Sequence, residues 1–252
     1  MNLGIFGDSW ADINPAEHRS LKDNRLPWAS WISNDLSAKL HCYALSGTGL
    51  WWSFENFLKN YKRFEKIVFL YTHYGRWNGL TDDLSSIAHI REPNQIDWVD
   101  QDNKDYAQKL IDVYPFLYND DLNLFIYQQI FDEVNYLCDK YGIQLVNILA
   151  FDREQPKIKI SKQKGAVLHN LVDIMNFEID NSERLKKYIG SVYDIRHCHM
   201  NPHNNRILAD IILENLTNPN ILINVGEDAR LSFDEKHCEY FFDQWDKNEK
   251  RH

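Results

Sequence analysis

Short apolar runs alternate along the chain with longer stretches in which apolar residues recur at helical spacing, which is the pattern of a parallel sheet with crossover helices. The first run, Leu3 to Phe6, leads into a turn of small residues, Gly7-Asp8-Ser9, at the strand end where open parallel sheets place ligands. Pro27 suits the first turn of a helix whose apolar face runs through Trp28, Trp31, Ile32, Leu36 and Leu40. Cys42 to Leu45 then offer a second strand, and Gly47 and Gly49 mark a tight turn. Trp51, Phe54, Phe57, Leu58 and Tyr61 repeat at helical spacing, and Lys66 to Tyr71 enclose Ile-Val-Phe-Leu, the clearest buried strand. A long helix is predicted from Asp121 to Tyr141, with Leu124, Ile130, Phe131, Val134, Leu137 and Cys138 turned inward. It ends at Gly142 and leads into a strand over Ile143 to Leu149.

Two stretches break this rhythm. Residues 80–118 are dense in Asp, Asn, Gln and Pro and read as an insertion or lid. Residues 152–190 read as a second insertion, with a basic, polar run from Lys157 to Lys164 and a helix expected over Leu168 to Ile179. The chain, 252 residues long, suits one large domain, here expected over 1–218, with 219–252 as a charged C-terminal extension.

Composition narrows the partners. The net charge of -9, from 37 acidic against 28 basic residues, gives no general attraction for nucleic acid or an anionic membrane surface. The N-terminus lacks a basic segment followed by a long apolar one, and no run approaches bilayer-spanning length, so a cytoplasmic location is expected. Cys42, Cys138, Cys198 and Cys238 are scattered without a C-x-x-C pair and read mostly as buried free thiols. His197, His199 and His203 lack the i, i+4 spacing of a helical zinc pair, so no metal is expected.

The candidate chemistry lies at the two ends of the domain. Gly7-Asp8-Ser9 after an N-terminal strand, and His199-Met-Asn201-Pro202-His-Asn204-Asn-Arg-Ile-Leu-Ala209 before a helix, resemble the first and last blocks of the SGNH (GDSL-like) hydrolase family. The local physics of the second block stands by itself: Asn201 is a good N-cap, Pro202 suits the first helical position, and Leu208, Ile211, Ile212 and Asn215 share one face. Asn204 replaces the family's usual glycine. Ala44-Leu-Ser-Gly47-Thr-Gly49 is similar to the family's glycine block, while Tyr71-Thr72-His73-Tyr74 stands where the family has G-x-N-D and lacks the asparagine.

The resemblance implies a flavodoxin-like three-layer α/β sandwich, with a mainly parallel sheet, helices on both faces and insertions. It also implies a serine nucleophile at Ser9 and a base at His199, with no cofactor. The N–H groups of Ser9 and Gly47 would hold the oxyanion, with His73, or Asn78 from the following loop, in place of the missing asparagine. The acid leaves two registers open. Asp194 stands three residues before His197, the family spacing, but five before His199, whose downstream helix fits the block. The implied activity is hydrolysis of a small-molecule or glycan ester. A binding module on the same scaffold is the competing reading, since eight Trp and thirteen Tyr include good platforms for carbohydrate. A phosphate or nucleotide binder ranks lower, because neither a P-loop nor G-x-G-x-x-G is present.

Overall fold

A computed structural model describes residues 1–8, 11, 27–45, 47–74, 104–151, 156–160, 165–171, 202–216, 218 and 221–231, with backbone alone at 115–117 and 202. Among the described residues, six strands form one all-parallel sheet in the order β2-β1-β3-β4-β5-β6. They are β1 (Asn2–Gly7), β2 (Lys39–Ala44), β3 (Lys66–Tyr71), β4 (Gln144–Leu149), β5 (Ala166–His169) and β6 (Leu222–Asn224). The chain passes from β1 to β2 on one side and then to β3 on the other, so the strand order reverses at the β1/β3 junction. Such a junction opens a crevice at the carboxyl ends of the strands.

Side-chain alternation sends the sheet's apolar residues both ways. Leu3, Ile5, Val68, Leu70, Val146, Ile148 and Leu168 meet α1 (Trp28–Asp35) and α5 (Pro202–Asn215) on one face. Phe6, Ile67, Phe69, Tyr71, Leu145 and Val167 meet α2 (Leu50–Asn60) and α4 (Asp120–Lys140) on the other. The fold is the expected three-layer α/β sandwich. The α2/α4 layer is aromatic, with Phe6 stacked on Tyr43 at 5.1 Å and edge-on to Phe57 at 5.6 Å. It also carries a buried polar chain: the Tyr71 hydroxyl donates to Asn147 Oδ1 at 3.0 Å, and Asn147 Nδ2 donates to Asn135 Oδ1 at 3.2 Å. Burial holds the Tyr71 phenol well above its ordinary range, so it remains a donor.

Four elements differ from the periodicity. Helix α1 stops at Asp35 because Ser37 adopts a positive φ of 49°, and Leu40 joins β2 instead of extending the helix. Within the expected insertion at 80–118 lies α3 (Lys104–Leu117), whose buried Ala107 and Ile111 are one helical turn apart. The polar density around these two apolar positions masks the period. Leu168 lies in β5 rather than at the start of a helix, since a four-residue apolar run carries no period that separates strand from helix. β6 places part of the expected C-terminal extension in the sheet, paired through Leu222, Ile223 and Asn224 with Val167, Leu168 and His169.

Candidate active site

The carboxyl end of β1 is held from four directions. Gly7 carbonyl oxygen accepts from Ser53 Oγ at 3.2 Å and from the Leu45 N–H at 3.4 Å, tying it to α2 and to the end of β2. Asp8 is buried, and its Oδ2 accepts from Thr72 Oγ1 at 2.6 Å across the β1/β3 junction. Its carbonyl accepts from the Ala11 N–H at 2.9 Å, and Ala11 in turn receives the Cys42 thiol on its own carbonyl at 3.4 Å. Gly7 is required by close approach: a Cβ there would stand 2.9 Å from Leu70 Cβ and 3.0 Å from Ala11 Cβ.

The turn after β2 borders the same edge of the sheet. Thr48 donates to the Leu45 carbonyl twice, through its N–H at 3.4 Å and its hydroxyl at 2.8 Å. Between them Gly47 takes φ 83°, a conformation that disfavours any residue with a Cβ. Among the described residues the Gly47 N–H donates to no protein acceptor. Gly49 opens α2 without a side-chain cap, which leaves the positive end of that helix at this edge.

His73 follows β3 and Thr72. Its ring stacks on Tyr74 at 4.6 Å and receives Phe151 edge-on at 5.7 Å. Lys157 Nζ donates to the Tyr74 hydroxyl at 2.8 Å. Lys157 is fixed in turn by its neighbours, since Ile158 is buried in the α2/α4 layer and Lys159 exchanges two hydrogen bonds with the Gln128 side chain. His73 thus sits in an aromatic group beside the crevice, close in sequence to the Thr72–Asp8 contact.

The last block starts a helix as expected. α5 begins at Pro202, and Leu208, Ile211, Ile212 and Asn215 are buried on its inward face. α5 ends a few residues before β6 begins and meets the first turn of α1 through its own first turns, so its N-terminal end lies toward the carboxyl edge of the sheet. There Asn205 Oδ1 accepts the Trp28 N–H, at the first turn of α1, at 3.0 Å. Asn204, on the preceding position, is fully buried.

No protein-family model matches the chain, and no curated protein matches its sequence. Gly7 and Asp8 meet Leu45, after β2, and Thr72, after β3, at one edge of the sheet. Ser9, Asn78, Asp194, His197 and His199 lie outside the described residues. Three contributors carry no signal in the sequence: Thr72, Ser53 and Asn205. Each is a small polar residue at the end of an apolar strand or in the first turns of a helix, and its role depends on a contact far away in the chain. Among the described residues, no helix is long and apolar enough to cross a membrane.

Proposed function

We propose that the chain is a serine esterase of the SGNH type, acting in the cytoplasm on an ester-linked acyl group of a small molecule or glycan. The supporting observation is that Gly7-Asp8 is bonded to Leu45, just past the end of β2, and to Thr72, just past the end of β3, on the carboxyl edge at the strand-order reversal. In this reading His199, oriented by Asp194, takes the proton of Ser9 Oγ as that oxygen attacks the ester carbonyl. The carbonyl π electrons move to its oxygen, and the oxyanion rests on the N–H groups of Ser9 and Gly47, with His73 as a third donor. His199 then protonates the departing alcohol. Water, deprotonated by the same base, releases the acid and restores Ser9. Neither a metal nor an organic cofactor enters these steps.

The stack of His73 on Tyr74 beside Phe151 favours a second reading, a carbohydrate-binding module without hydrolysis, because such rings suit the apolar face of a sugar. An activated organophosphonate separates the two. The esterase is expected to form a covalent adduct at Ser9, found by peptide mass spectrometry, and Ser9→Ala is expected not to. Wild-type protein that neither labels nor cleaves short-chain aryl esters from mildly acidic to alkaline pH would leave the binding module in its place.

A further inference from the structure

We propose that Thr72 is a positioning residue for the nucleophile, acting through Asp8; this rests on the serine-esterase reading above. Thr72 is the first residue beyond β3 and Asp8 the first beyond β1, so their side chains meet across the crevice where the strand order reverses. Both are buried, and the Thr72 Oγ1 to Asp8 Oδ2 distance of 2.6 Å is that of a hydroxyl donating to a charged acceptor.

Ser9 is the covalent neighbour of Asp8, so the direction in which the backbone leaves Asp8 governs where the serine hydroxyl can be delivered. Among the described residues, Ser53 and the Leu45 N–H hold the Gly7 carbonyl, and the Ala11 N–H holds the Asp8 carbonyl, all on the main chain. They fix the height of the turn above the sheet. Thr72 grips the Asp8 side chain from β3, the strand that also leads into His73, and so sets the rotation of the turn relative to the proposed oxyanion donors. A shift of about 1 Å in such a group can cost about a hundred-fold in rate without changing what binds.

The test measures the rate of Ser9 phosphonylation and the split between kcat and KM on an aryl ester in the full chain. Thr72→Val keeps the shape and removes the hydroxyl; Thr72→Ser keeps the hydroxyl. The expectation is a fall of about ten- to a hundred-fold in labelling rate and kcat for Thr72→Val, with KM within about two-fold, and near-complete rescue by Thr72→Ser. Labelling by Thr72→Val at the wild-type rate, or equal damage in both variants, overturns the proposal.

Thr72→Val also strips a hydroxyl from a buried carboxylate and can fail to fold, whereas removing both groups together is nearly neutral for stability. The pair Asp8→Ala and Asp8→Ala/Thr72→Val covers that case. A residue that acts through Asp8 has nothing further to lose once Asp8 is gone, so the two are expected to label equally, and a slower double variant overturns the proposal. Absence of labelling in wild type sinks the esterase reading and this inference with it. Labelling in wild type that is indifferent to Thr72 sinks this inference alone.

Discussion

Asn205 on α5 caps α1 from outside, its Oδ1 accepting the Trp28 N–H at 3.0 Å across 177 positions of chain. Pro27, at the N-cap position, supplies no side-chain acceptor of its own. The last sequence block therefore does structural work on the helix that comes after the first block. Asn205→Ala is expected to cost about 1 kcal/mol, the usual worth of an N-cap, and Asn205→Asp, which keeps the acceptor, much less. Urea midpoints of the three proteins decide this, and equal midpoints would show the contact to be idle.

Gly7→Ala should be damaging. The new Cβ would press on Leu70 Cβ and Ala11 Cβ, atoms tied to the backbone that cannot swing aside. A cost of about 1–3 kcal/mol is expected from such overpacking, with slower labelling at Ser9 because the turn must shift. Thermal melting and phosphonate labelling measure the two effects separately.

The competing histidine registers are separable by substitution. With His199 as base, His199→Ala is expected to lower turnover by several orders of magnitude, His197→Ala to retain most of it, and Asp194→Asn to fall between. Folded His197→Ala and Asp194→Asn proteins as inactive as Ser9→Ala, beside an active His199→Ala, would move the base to His197.

Cys138 on α4 offers a pH-dependent marker of the α2/α4 layer. Burial pushes its thiol from an ordinary value of 9.0 up to about 12. The folded state binds this proton more tightly than the unfolded state, so the contribution to stability is complete below about pH 9 and fades as pH rises toward 12. Stability measured by urea should therefore decline across that interval, and less in Cys138→Ala. At pH 8 a disulfide reagent should reach Cys138 only on unfolding; rapid modification of the native protein would contradict its burial.

The parts of the fold that are legible in sequence are those with a period or a stop signal. The run Ile67 to Leu70 is apolar on both faces because it lies inside a parallel sheet, and α4 pairs a clear stripe with a stop at Gly142, which takes φ 65°. β5 and β6 are not legible, since four and three residues are too few to show any period. Within the site, Gly47 is readable because only its residue type suits φ 83°. The Asp8–Thr72 bond is not, because it joins residues 64 positions apart and neither is unusual locally. His73 stands out as a candidate donor from its place after β3, but its stacking on Tyr74 and contact with Phe151 depend on the end of β4.

The strand order has a consequence for biosynthesis. β3 completes the β1 side of the crevice early, yet its other edge waits for β4, which begins only at Gln144. Translation of the intervening stretch of about seventy residues, at about 5–20 residues per second, leaves the apolar edge of β3 unpaired for several seconds on the ribosome. During that interval the nascent chain presents Ile67 to Tyr71 as an open template for strand addition, and the arrival of α4 with β4 is what closes it.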